Sequence, residues 1–367
     1  KMVLYVNKVN PLSEDTRKEI VQLELASREF IMNEKVRVNT RFDGKISDHI
    51  KKLLEDKKYL GPTEKSEGKE GFKAKKIDVE ETENTYNFVG NNKKPYYIIN
   101  WLSRGSVPKL PESGGATGIS AGFLFWETNK GLHFKSIDSL FAQEPKISVL
   151  YNESPDENNT PPVGYDVKAL EYSVSNAVDV QNKLKLGAYS TRLIVFNPFN
   201  TYYEVVNPKA EDNEDKLSLA GKELPVLNKE FKKEEGPDFS RTTYMLLDPG
   251  SLPSGKGIGK GQEQVQKREQ ENFKPKEYLN QGIMRMNQVF SQKTTITIPG
   301  EFTLHAGDAI FVDAPQVAGD PDNDQENTRT GGLYIIADLC HYISAKNTLT
   351  KLNLVRDSFG RKPKSRN

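Results

Sequence analysis

The chain has 367 residues, and 52 Lys and Arg against 51 Asp and Glu leave a formal net charge of +1. Such a length suggests two to four domains, and the balanced charge argues against a protein that coats nucleic acid, which ordinarily carries a large basic excess. A single Cys and 4 His exclude an intrachain disulfide framework and every multi-Cys zinc site, and the longest apolar runs, such as Leu193–Phe196, fall far short of the roughly 18 residues of a membrane-spanning helix.

The N-terminal stretch Lys1–Asn10 has no apolar core followed by small residues, so no secretory signal is read there. Because the chain begins with Lys, residues are expected to precede it. Ile20, Val21, Leu23 and Leu25 alternate with polar neighbours and predict a strand. Val36 and Val38 predict another, followed by a turn at Asp43-Gly44. Ile46, Ile50, Leu53 and Leu54 then form one helical stripe, with Ser47 or Asp48 as cap and Gly61 as stop. Residues 62–83 are mixed in charge, nearly free of large apolar groups, and read as a loop.

Pro95 opens a short helix over Tyr96–Ser103, with Tyr97 and Trp101 on one face, and Pro108–Gly118 is a Gly/Pro loop. Phe123 and Phe125, the turn Glu127–Gly131 and a strand through Phe134 predict a hairpin. Ile147, Val149 and Tyr151 predict a strand, and 152–164 a polar linker. A short helix through Val180 and Leu184 ends at Gly187, before strands Ser190–Asn197 and Tyr202–Val206 joined by a turn at Asn197–Asn200. Residues 207–240 are charged and irregular, and 248–261 are Gly-rich. Pro275 starts a helix whose stripe is Leu279, Ile283, Met286 and Phe290. From Thr295 onward the chain reads as short antiparallel strands around Ile296–Ile298, Phe302–Leu304, Ile310–Val312, Leu333–Ile343 and Leu349–Arg356, the pattern of a small barrel or sandwich.

Motifs that carry chemistry are near misses. Gly250–Gly257 imitates the phosphate-binding GxxxxGK[ST], but Gly257 stands where a hydroxyl must reach magnesium. Asp320, Asp322 and Asp324 imitate the start of an EF-hand loop, yet Gln325 and Gly331 replace its required Gly and Glu. Cys340 and His341 are neighbours on a strand, so their side chains point to opposite faces and cannot pair as nucleophile and base. Cys340 is expected to be buried, and His133 and His305 structural. Glu127 and Asp138 could in principle flank a glycosidic bond, though nothing marks them among the 51 acids. No catalytic, cofactor-binding or metal-binding residue is assigned, and no cofactor.

Four segments carry a resemblance: Lys94–Gly105, Gly122–Thr128 continuing to Phe134–Asp138, Gly307–Asp313, and Gly332–Asp338 followed by Thr350–Gly360. In this order they resemble the central baseplate hub protein of contractile-tailed bacteriophages of the T-even type, over roughly residues 20–360. The resemblance implies a mainly β protein with α+β insertions, in which antiparallel tube-type β-barrels are accompanied by peripheral α/β domains. Residues 1–30 would be the remaining strands of a first barrel, incomplete in this numbering, and 31–165 an α+β insertion. The second barrel would take 166–206 and 295–360, with a peripheral insertion at 207–294 containing a helix at 275–291. Residues 361–367 would be a frayed basic tail.

The resemblance also implies a function. Three subunits would form a pseudo-sixfold ring adapting the hexameric tail tube to the trimeric spike. Its partners would be itself as a homotrimer, the tail tube or tube-initiator proteins, an OB-fold spike protein, baseplate wedge proteins and the tape-measure protein. DNA would be met only in transit, with no membrane span and no catalysis. The place would be the virion's tail baseplate, assembled in the host cytoplasm. The alternatives are the hub portion of a related contractile injection system spike and a tail-tip cell-wall hydrolase. The hairpins Phe302–Val312 and Leu333–Arg356 are expected at the trimer interface, with Ile310 and Ile336 as its markers.

Overall fold

A computed structural model describes residues 3–15, 17–63, 67–68, 74–109, 121–152, 160–161, 163–176, 179–198, 201–211, 214, 217–233, 235–247, 275–314 and 330–362. The strands, in chain order, are β1 (Tyr5–Asp15), β2 (Lys18–Ala26), β3 (Arg41–Phe42), β4 (Lys76–Val79), β5 (Phe88–Val89), β6 (Phe123–Glu127), β7 (Gly131–Ser136), β8 (Ser148–Leu150), β9 (Val167–Lys168), β10 (Glu171–Asn176), β11 (Thr191–Asn197), β12 (Tyr202–Val206), β13 (Arg241–Leu246), β14 (Gln292–Pro299), β15 (Ala309–Asp313), β16 (Gly332–Ile343) and β17 (Thr348–Arg356). The helices are α1 (Arg28–Lys35), α2 (Ile46–Glu55), α3 (Pro95–Ser103), α4 (Ile137–Phe141), α5 (Val180–Leu186) and α6 (Pro275–Gln288). The chain divides into two compact units. One draws its described residues from Lys1–Ser103 and Phe125–Phe134, the other from Arg104–Leu124, Lys135–Asp248 and Lys274–Asn367.

The fold is mainly β, and the second unit is built on a curled seven-stranded sheet in the order β10-β14-β17-β16-β15-β8-β9. Period-two alternation sends Ile296, Ile298, Ile310, Val312, Tyr334, Ile336, Leu352 and Leu354 to one side, where with Val149 and Ala169 they form a buried core. The two edge strands are consecutive in the chain. At their junction the Ala169 amide donates to the Leu150 carbonyl (2.8 Å) and the Leu170 amide to the Thr297 carbonyl (2.7 Å). One segment thereby meets both ends of the sheet.

A second sheet, β12-β11-β13, stands apart from the first. Its β11–β12 pair is antiparallel and its β11–β13 pair parallel. Leu193 and Val195 are buried on one face, which α6 contacts. Gly187 takes a left-handed conformation (φ 74°) to end α5, as its placement in the sequence predicts.

The first unit contains a small α/β core and a long ribbon. Ile50, Leu53 and Leu54 of α2, with Ile98, Ile99 and Leu102 of α3, are buried near the stacked pair Phe42 and Phe88, whose centroids lie 5.0 Å apart. Neither Ser47 nor Asp48 caps α2. The Ser47 amide instead donates to Thr82 Oγ1 at 2.9 Å. The helix stops at Glu55, and Gly61 lies so close to it that a Cβ there would meet the Glu55 carbonyl oxygen at 2.0 Å.

Ahead of this core, β1 and β2 pair only with each other among the described residues. Their register sets Val6 opposite Leu25, Val9 opposite Leu23 and Pro11 opposite Val21, with register shifts at Asn7 and Leu12. One face therefore carries Val6, Val9, Pro11, Val21, Leu23 and Leu25, and it is exposed. The other carries the Lys8–Glu24 ion pair at 3.6 Å.

Several expectations are corrected. Strands 191–197 and 202–206 do not join the seven-stranded sheet, whereas Ser148–Leu150 does. That sheet is not purely antiparallel, because β8 runs parallel to both β15 and β9. Val36 and Val38 form no strand, only an isolated bridge from Val38 to Lys93, and Phe302–Leu304 are irregular. Tyr97 and Trp101 do share one face of α3, as expected, and it is the exposed one, while Ile98, Ile99 and Leu102 face inward. Ile310 and Ile336 are buried in the sheet's own core, so neither can mark a subunit interface. The loops at Gly250–Gly257 and Asp320–Asp324, most of Pro108–Gly118, the turn residues Phe199 and Asn200 and positions 363–367 lie outside the described residues.

Candidate functional site

Three charged groups of the second unit converge on a buried knot. Arg285 of α6 pairs with Asp138 of α4 (3.2 Å) and with Asp357 just beyond β17, and donates to the Ser218 carbonyl at 2.6 Å. All three charged side chains are buried. The carboxylates also accept backbone amides, Ser218 to Asp138 (3.2 Å) and Ala220 to Asp357 (3.0 Å). Each lone pair taken by a donor lowers the cost of burying charge. The knot fastens α4, α6, the 218–221 segment and the end of β17, so it reads as a clamp.

A second arginine, Arg356, is buried at the end of β17. It donates to the Gly331 carbonyl (3.0 Å) and the Gly360 carbonyl (2.9 Å), and its guanidinium lies 5.2 Å from the Tyr334 ring centre. Asp313 joins another contact, accepting from the Tyr165 hydroxyl at 2.5 Å and pairing with Arg361 at 2.9 Å. Burial and this carboxylate push the Tyr165 hydroxyl up to about 12. Lys362 donates to the Leu219 carbonyl at 2.5 Å. The expected frayed tail thus begins with two anchored residues.

In the first unit, Lys75 bridges Glu29 (2.8 Å) and Glu127, and Ser27 Oγ donates to Glu127 at 2.9 Å. The Tyr96 hydroxyl is raised by burial and by these two glutamates. Glu127 and Asp138 therefore belong to different units, and each is engaged by a cation.

The remaining candidates settle as follows. His133 lies between Thr128 Oγ1 (3.0 Å) and Asp78 (3.4 Å), stacked on Trp126. His305 donates through Nδ1 to the Thr303 carbonyl at 2.7 Å. Both hold local structure. Cys340 is exposed, against expectation, because β16 runs out beyond the core at that point. His341, on the other face of the strand, contacts Thr350 Oγ1 at 2.9 Å. Among the described residues, no three His, Cys, Asp or Glu gather as metal ligands, and no helix is long and apolar enough to cross a membrane.

What sequence reasoning missed lies on open β surfaces. On the outer face of β12-β11-β13, Phe196 sits between Tyr203 and Leu246, and Ile194 between Val205 and Tyr244. Four of the six are exposed, Tyr244 at 77% and Leu246 at 65%. The unbroken apolar run Leu193–Phe196 is the available signal, since a strand covered on one face alone would alternate with polar residues.

No family model matches the chain, and no curated protein matches it. Among solved structures, it is similar to the tail protein from Neisseria meningitidis MC58, at 10% identity and a TM-score of 0.50 over 97% of this chain and 80% of that one. It is also similar to the prophage MuSo2 43 kDa tail protein from Shewanella oneidensis, at 10% identity and a TM-score of 0.42 over 96% of this chain and 75% of that one. The likeness to the Neisseria protein is one of fold, and it extends along nearly the whole chain.

Proposed function

We propose that this chain is a structural protein of a phage-type tail, acting as the central hub of the baseplate. Three copies close a ring whose tube-type barrels adapt a hexameric tube to a trimeric spike. The observation that carries the tail assignment is the fold shared with the Neisseria tail protein over 97% of the chain. The curled sheet supports the barrel, because the segment joining β9 to β10 hydrogen-bonds to both ends of it.

In this reading the chain works by contact surfaces, and no catalysis is assigned to it. Its partners are further copies of itself, tube, spike, wedge and tape-measure proteins, with DNA passing through the ring. The near-zero net charge of +1 per copy suits a wall past which DNA slides without being held.

An electron-microscopy reconstruction of a tail tip containing this chain tests the proposal. The expected result is a threefold ring with six barrels between tube and spike. A position on the outer baseplate, or a ring of another symmetry, overturns the hub assignment. Clearing of peptidoglycan by the purified chain would favour the tail-tip hydrolase instead.

A further inference from the structure

We propose that the apolar face of the β1–β2 ribbon of one copy docks on the open face of the β12-β11-β13 sheet of the next. The number of copies rests on the ring reading above. The contact itself rests on these two faces.

Each face lacks the cover its chemistry calls for. The ribbon presents Val6, Val9, Pro11, Val21, Leu23 and Leu25 on one side, with Val9 54% and Leu23 53% exposed. The sheet contains a parallel pair, β11 with β13, and parallel pairs are ordinarily covered on both faces. Helix α6 contacts one side of β11, and the other presents its apolar array to solvent.

The charges are complementary. On the ribbon, Glu19 continues the apolar row toward the turn and is exposed. On the sheet, Arg192 continues the row Ile194, Phe196, and lies 5.2 Å from the centre of the Phe239 ring. Lys233 lies 5.9 Å from the same ring. Neither cation has a carboxylate partner among the described residues. An apolar row ending in Glu19 thus meets an apolar row ending in Arg192.

The ribbon row is long enough to span the sheet row. At about 3.3 Å per residue, Glu19–Leu25 spans roughly 20 Å and Arg192–Phe196 roughly 13 Å. Pairing like with like would require two different twofold contacts per copy, whereas one head-to-tail contact covers both faces and can close as a ring.

The test measures mass by light scattering and sedimentation for the full chain and two surface variants. Leu23→Lys disables the ribbon and Tyr244→Lys the sheet. Each alone is expected to weaken self-association at least tenfold, leaving folded monomers by circular dichroism. A one-to-one mixture is expected to form a dimer, because each variant keeps one intact face. Oligomers unaffected by either variant overturn the contact but leave the ring standing. A mixture that stays monomeric also overturns the contact, and a parent chain that is monomeric at every concentration removes both. Should a variant unfold, the charge exchange decides. Glu19→Arg and Arg192→Glu are each expected to weaken association and their combination to restore it, and failure of that restoration overturns the contact.

Discussion

Arg285 shows what a single residue does in this protein. It is buried between two buried carboxylates, Asp138 and Asp357, so Arg285→Ala leaves two uncompensated charges inside. The expected loss is about 3–5 kcal/mol of stability, read as a lower urea midpoint. Replacing all three groups with apolar residues of similar volume is expected to recover much of it. His49 works through pH. It is buried with Nε2 at 2.8 Å from the Tyr86 carbonyl, and burial lowers its pKa below the ordinary 6.5. The unfolded chain therefore takes up a proton near pH 6.5 that the folded state resists. Stability from this group is complete above that pH and declines below it, by at most about 1.4 kcal/mol per pH unit. Urea denaturation from pH 7 to pH 5 should show this slope, and His49→Gln should flatten it. Neither residue was legible in the sequence, where Arg285 was one of 52 cations and His49 one of 4 histidines.

Among the elements, α6 is instructive. The sequence predicts a stripe of Leu279, Ile283, Met286 and Phe290, yet Phe290 is exposed, whereas Tyr278, Met284 and Val289 are buried. The helix is turned so that Arg285 reaches its two carboxylates and Gly282 passes the Arg104 carbonyl. A Cβ at Gly282 would meet that oxygen at 2.1 Å. Gly282→Val is accordingly expected to lower the melting temperature, by ten degrees or so if the cost reaches about 3 kcal/mol. Strand β11 was legible as a strand but not as to its sheet, because an apolar run fits any covered position. The ribbon was legible by its alternation in β2. Its amides are expected to exchange with solvent within seconds in a monomeric sample, while those of β14 and β17 stay protected, because its hydrogen bonds lack a covering layer. Equal protection in dilute solution would contradict that expectation.

At the scale of the whole molecule, the curled sheet decides the architecture. Leu352 and Leu354 lie at its centre, and Leu352→Ala is expected to cost about 2–5 kcal/mol by chemical denaturation. The sequence by itself determined that the chain is mainly β, that helices interrupt it near 46–54, 95–103, 180–187 and from Pro275, and that alternating rows from Ile296 to Leu354 face a common core. Period and punctuation are local properties, and a few residues suffice to state them. Only the tertiary structure decided that Ser148–Leu150 joins this sheet in parallel, that 191–206 leaves it, and that Arg285 binds carboxylates 147 and 72 positions away in the chain. Backbone hydrogen bonds carry no side-chain label, so the partner of a strand is set by which surfaces cover one another. The same reason hides the open faces of the ribbon and of β11, since a sequence records which side chains are apolar but not which remain uncovered.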